Sequence, residues 1–171
     1  MASATPKKHP AIKGLMWHRD QYYSFYIPLD WHRFAWSDDR QGVIFGPDPN
    51  DPATVFAVAV KDLGTSLTAA DLNALAEGFF ETIAQLPESQ IEDRNRKVAG
   101  KLLQLEAKYT YREQGETRQC WVRVLYHETR QITLTAQGAT PDKYAHWLPL
   151  FFEAMMTARV HNQKPTVEII D

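Results

Sequence analysis

The sequence predicts an α/β chain of the α+β kind, a single domain in which a mainly antiparallel sheet built from meanders lies between helices. Three observations carry this. Residues 54–60 are apolar on both faces, with Val55, Ala57 and Ala59 opposite Phe56, Val58 and Val60, as expected of a central strand covered on each side. Two stretches, 68–86 and the one beginning at Thr140, repeat apolar residues at intervals of three and four, the helix period. From Tyr23 onward, most of the remaining chain alternates with period two between turn residues. A chain of 171 residues fits one domain, and folding at this size removes roughly 70% of the unfolded chain's surface from water. With 44% hydrophobic residues, five Trp, seven Tyr and eight Phe, it can fill such a core, since each buried aromatic removes about 150–250 Å².

Taken in order, residues 1–10 are small and polar and contain prolines, the composition of a flexible arm. The domain is expected over 11–160. A first strand over 12–18 is weakened by Gly14, and Asp20 and Gln21 make a turn. Tyr23, Phe25 and Ile27 then point one way, and Ser24 and Tyr26 the other, as in a half-buried strand. Pro28 cannot donate to a ladder and ends it, leaving residues 29–31 as a loop anchored by the Trp31 indole. Strands at 34–37 and 42–45, joined by the turn 38–41, complete a small meander. Residues 46–52 hold three prolines and read as a rigid loop.

The 68–86 helix carries Leu72, Leu75, Phe79, Ile83 and Leu86 on one stripe, opens on Thr68 with Asp71 as a capping box, and stops before Pro87. Strands follow at 91–98, 102–112, 119–126 and 131–136, with turns at 99–100, 114–116 and 127–129. In the second of these strands Leu103, Leu105, Ala107, Tyr109 and Tyr111 share a face while Glu106, Lys108, Thr110 and Arg112 face away. The final helix has Thr140 as N-cap, Pro141 at the first helical position and Asp142 in the first turn. Tyr144, Trp147, Leu148, Phe151 and Met155 form its buried stripe. Pro149 is expected to kink it or break it in two, because its ring meets the Ala145 carbonyl. Residues 161–171 form a polar tail, with 166–170 either a last strand or free.

Charge and composition exclude several function classes. With 19 basic and 21 acidic residues, a formal net charge of -2, there is no long-range attraction for nucleic acid or an anionic membrane. The basic cluster Arg94, Arg96 and Lys97 is flanked by Glu92 and Asp93, which marks a solvated strand or turn. Cys120 is the only cysteine, so no intrachain disulfide forms. The first residues lack the apolar run of about seven or more and the small-residue cleavage site of a secretory signal, and no stretch approaches the roughly 20 apolar residues of a membrane span. These features favour a cytoplasmic location.

Catalytic motifs are absent. The histidines His9, His18, His32, His127, His146 and His161 never fall at metal-ligand spacing, so neither a metal nor a cofactor is expected. His127 lies beside Glu128, but adjacent strand residues point to opposite faces. Cys120 alternates with Trp121 on a strand and reads as a core filler, not as a nucleophile. No nucleophile elbow, P-loop or dinucleotide glycine motif occurs. Asp48, Asn50 and Asp51 are interrupted by Pro49 and Pro52, unlike a calcium loop. The aromatics Trp31, Trp36, Tyr109, Tyr111, Trp121, Trp147 and Phe151 either form plain core or line a ligand cavity.

The entry Phe25, Ile27, Pro28, Trp31, the amphipathic helix ending near Leu86, the paired long strands with Leu105, Tyr109 and Tyr126, and the closing Tyr144, Trp147, Pro149, Phe151 and Met155 resemble the PsbP-like superfamily. That group includes the photosystem extrinsic protein PsbP, a Ran-binding import factor and bacterial DcrB-type domains. The resemblance covers about residues 23–160. It implies an α/β/α sandwich and a role in binding or assembly instead of catalysis. Some bacterial relatives chaperone secreted effectors with apolar helices, which suits a concave aromatic sheet face. Unlike secreted members, this sequence has neither signal nor lipid-anchor cysteine near its start, and no metal-binding or Ran-contacting residue maps onto it. The expectation is therefore a non-enzymatic protein-interaction, assembly or chaperone-type domain with another protein as partner, a homodimer being compatible. Trp36, Arg112, Arg123 and His127 are its candidate partner-binding residues, and Trp31, Trp147 and Pro149 its structural ones. The alternative is a small-ligand or lipid-like binder with an aromatic-lined pocket between sheet and helix.

Overall fold

Two antiparallel sheets and two helices make up the α+β domain in the computed structural model, which describes residues 14–161. The strands are β1 Leu15–Arg19, β2 Tyr23–Pro28, β3 His32–Phe34, β4 Gln41–Gly46, β5 Val55–Asp62, β6 Gln90–Ala99, β7 Leu102–Glu113, β8 Glu116–His127, β9 Arg130–Gly138 and β10 Arg159–Val160. The helices are α1 Leu72–Ala84 and α2 Pro141–Thr157. Seven strands form one sheet in the order β3-β4-β5-β9-β8-β7-β6, and β1-β2-β10 form another. The chain leaves β5, passes through α1 to the far edge at β6, and walks back strand by strand until β9 closes on β5.

The larger sheet separates two apolar cores. On one face Phe56, Val58, Trp121, Ile132 and Leu134 meet Phe25 and Ile27 of β2 and Phe151 and Met155 of α2. On the other, Leu103, Leu105, Ala107, Val122 and Val124 meet Ala76 and Ile83 of α1. Local chemistry sets the element ends. The Thr68 N–H donates to the Asp71 carboxylate at 2.7 Å, the reciprocal arm of a capping box, ahead of a 3-10 turn at Ala69–Asp71 that feeds α1. The Thr140 hydroxyl oxygen accepts from the Lys143 N–H at 3.3 Å. Gln114 and Gly115 both have positive φ, at 51° and 76°, the two-residue turn that matches strand twist. Gly42 has φ 142°, and a Cβ there would collide with the Val58 carbonyl oxygen, so glycine lets β4 approach β5.

Several expectations are corrected. The 23–27 strand is the middle of a second sheet, and all of β2 is buried. Its second face is held by Trp17 against Tyr26 at 4.7 Å and by the Tyr26 N–H donating to Thr157 Oγ1 at 3.0 Å. The 34–37 strand lies earlier, at β3, and Trp36 leaves the ladder to sit under the Arg40 guanidinium, 4.8 Å from the ring centroid. The first helix ends at Ala84 in tight turns before Pro87, since a residue before proline is driven out of helical geometry. No break occurs in α2, which runs unbroken through Pro149. Ala145 and Pro149 are both on the exposed side, where water can take up the carbonyl that proline leaves unpaired, while buried Tyr144, Phe151 and Met155 pin the helix on each flank. Leu148 is exposed instead of packed, and Ala154 takes its place in the stripe. Finally, β5 is covered fully on one face only, because α1 lies over β6 and β7. The 1–10 arm and the 166–170 strand fall outside the described residues.

Candidate functional site

Among the described residues no three His, Cys, Asp or Glu side chains group as a metal site, and no helix is long and apolar enough to cross a membrane. Cys120 is buried at the β8–β9 ladder with its thiol donating to Gln137 Oε1 at 3.4 Å. Burial pushes its pKa up to about 12, so it carries no thiolate at neutral pH.

The open half of the larger sheet forms a groove instead. Register places Thr133 opposite Ala59 and Thr135 opposite Ala57, all on the face that α1 covers only over its other half. These four side chains form the floor of a cavity of about 590 Å³, with Gln131 and Lys61 at one end and Trp36, Asp39 and Arg40 along the wall. Arg40 is held by Asp38, whose carboxylate accepts from its Nη2 at 3.0 Å, and stacks on Trp36. The Trp36 indole Nε1 is buried without a hydrogen-bond partner among the described residues, an unpaired donor on a side chain that lines the groove.

The four candidate partner-binding residues do not converge. Trp36 alone lies in the groove. Arg112 sits at the opposite edge of the sheet, 3.5 Å from Glu88, and donates to the Gly115 carbonyl at 2.9 Å, so it braces the β7–β8 turn. Arg123 points inward: its Nε donates to Glu106 at 2.8 Å and its Nη1 to the Met155 carbonyl at 3.0 Å. His127 ends β8 and lines a separate cavity with Leu67 and Lys101, while Glu128 pairs with Arg130.

The three structural candidates do meet. Trp31 packs edge-on against Trp147 at 5.7 Å and Phe151 at 5.9 Å, and Trp31, Trp147 and Pro149 line a pocket of about 530 Å³ between the end of β2 and α2. Neither Arg118 nor the exposure of Phe152 and Met156 is part of the sequence reading. Arg118 is a buried charge that donates to the Ala139 carbonyl at 2.9 Å and pairs with Glu116 at 3.0 Å. Leu148, Phe152 and Met156 form an exposed apolar stripe along α2; their i, i+4, i+8 spacing was a signal that the sequence did carry.

No protein-family model matches the chain, and no curated protein does. Solved structures do. The cyanobacterial PsbP from Synechocystis superposes with a TM-score of 0.61 at 15% identity, over 94% of this chain and 98% of that one. LpqN of Mycobacterium tuberculosis, described as involved in cell envelope biogenesis, gives 0.60 at 16% identity, over 82% and 83%. A Pseudomonas aeruginosa protein of unknown function gives 0.54 at 18% identity, over 89% and 99%. At these identities the likeness is one of architecture, and the architecture of this chain is the PsbP-like fold.

Proposed function

We propose that this chain is a non-enzymatic interaction or assembly domain that seats an apolar helix of a partner protein in the groove over β5 and β9. The observation that carries this is a half-sheet left without a helix and floored by Ala57, Ala59, Thr133 and Thr135. Small side chains let a helix approach the sheet closely. Residues 57–61 and 131–135 flank the groove, a length of about 16 Å at ~3.3 Å per residue, which fits about three helical turns. Sheet edges offer less: β3 has three residues and β6 carries Glu92, Asp93, Arg94, Arg96 and Lys97, the charges that deter strand addition. None of the three neighbours described above carries the name of an enzyme.

A photoreactive residue at Thr135 tests the reading. It should crosslink to a partner from native lysate, and Ala59→Trp, which fills the groove, should abolish the product while leaving the unfolding midpoint within about 3 °C, the scale of a change near 1 kcal/mol in a chain of this size. Persistence of the same product in Ala59→Trp would place the contact elsewhere.

A further inference from the structure

The geometry points to a second site, on the opposite face of the molecule from the groove: the Trp31–Trp147 pocket binds an organic cation, an alkylammonium or guanidinium group with a short apolar body. The cavity of about 530 Å³ is of the size that holds small ligands, about 300–1,000 Å³. Its two indoles meet edge-on at 5.7 Å, and Trp31 is 8% exposed and wedged against Phe151. The ring geometry is therefore set before any ligand arrives, and an indole face attracts a cation within about 6 Å of its centroid.

Charge selects the sign of the ligand. Asp30 and Glu153 line the same pocket, and neither side chain has a hydrogen-bond or ion-pair partner among the described residues. No Lys, Arg or His is among the described lining residues. Pro28 and Pro149 add apolar wall and contribute no backbone N–H donor. Two carboxylates and two aromatic rings lining one cavity, with no cation among its described lining residues, match a positively charged head carried on a hydrocarbon stem.

The test is a titration of the full chain followed by tryptophan fluorescence, with tetramethylammonium, n-butylammonium, a blocked lysine peptide, neutral neopentyl alcohol and butyrate as probes. The same series is run on a Lys7→Ala/Lys8→Ala/Lys13→Ala variant, which lacks the three lysines that precede Gly14 in the sequence. Saturable binding is expected for the cations, about tenfold or more tighter than for the neutral isostere, as cation–π and carboxylate attraction together require. Glu153→Gln and Asp30→Asn should each weaken it by about three- to tenfold. Tighter binding of the peptide than of the free ammonium ions assigns the cation to a protein side chain, and the reverse order assigns it to a small molecule. Equal binding of the neutral isostere, or no saturable cation binding by either form of the chain, overturns the proposal. Ala59→Trp should leave the titration unchanged, so the outcome is independent of the groove.

Discussion

Replacing Arg123 with Ala should destabilise the protein by about 2–4 kcal/mol, and the reasoning is worked from three contacts. The side chains of Arg123 and Glu106 are each 14% exposed and meet at 2.8 Å. Breaking a buried pair by removing one partner costs about 3–5 kcal/mol because the other charge is stranded, and residual exposure lowers that figure. The lost donor to the Met155 carbonyl, in the last turn of α2, adds about 1 kcal/mol. The double variant Arg123→Met/Glu106→Met removes both charges and keeps the volume, so it should lie within about 1 kcal/mol of the parent. Urea unfolding followed by far-UV circular dichroism reads all three chains on one scale. A single variant below about 0.5 kcal/mol, or a double variant as unstable as the single, would refute the account and return Arg123 to the surface as a binding residue.

Trp31→Ala should cost about 3–5 kcal/mol in the same assay, the range for deleting a buried large aromatic; a near-neutral result would mean the indole is not packed against Trp147 and Phe151. Cys120 should resist a thiol reagent such as DTNB at pH 8 and react only at the rate of unfolding, and fast labelling would contradict its burial and its pKa of about 12. Alkaline solution should destabilise the fold: burial holds Cys120, Tyr23, Tyr109 and Tyr111 protonated above their ordinary 9.0 and 10.0, so above these values the unfolded chain binds fewer protons and stability falls as pH rises. His18 works in the opposite range. Burial first, then Arg33, lowers its pKa below 6.5; the unfolded chain therefore binds the extra proton, and this contribution, complete above 6.5, is lost as pH falls through the folded value. His18→Phe should flatten the acid limb of stability against pH by up to about 1.4 kcal/mol per pH unit, and an unchanged slope would remove the histidine from that account.

The two proposed sites have complementary physics. The groove offers area with little directional chemistry, which suits a partner's apolar helix, whereas the Trp31–Trp147 pocket offers charge and ring geometry on a scale of one functional group. Each can be blocked without touching the other, since the groove floor lies on β5 and β9 and the pocket on β2 and α2. The exposed stripe Leu148, Phe152 and Met156 lies on that same helix, with Phe152 6.3 Å from Trp121.

Local patterns were legible without coordinates. The alternation of 102–112, the stripe of α1, the Thr68–Asp71 and Thr140 caps and the core role of Cys120 all rest on neighbours two to four residues apart, and the structure places them as expected. What tertiary structure alone decided rests on partners far along the chain. Period two in Tyr23–Pro28 marks a strand, but only β1 and β10 as neighbours make it the centre of a second sheet. A charge at 123 reads as solvated until register sets Glu106 opposite it. Ala57 and Ala59 read as core until β9 brings Thr133 and Thr135 beside them and α1 covers only the other half of that face. Residues 23–31 show both limits: the sequence marked a strand, a proline stop and an anchoring indole, while the pocket around Trp31 exists only because α2 brings Trp147 and Glu153 back across more than a hundred residues. Sequence period reports which way a side chain points, and only the packed chain reports what stands opposite.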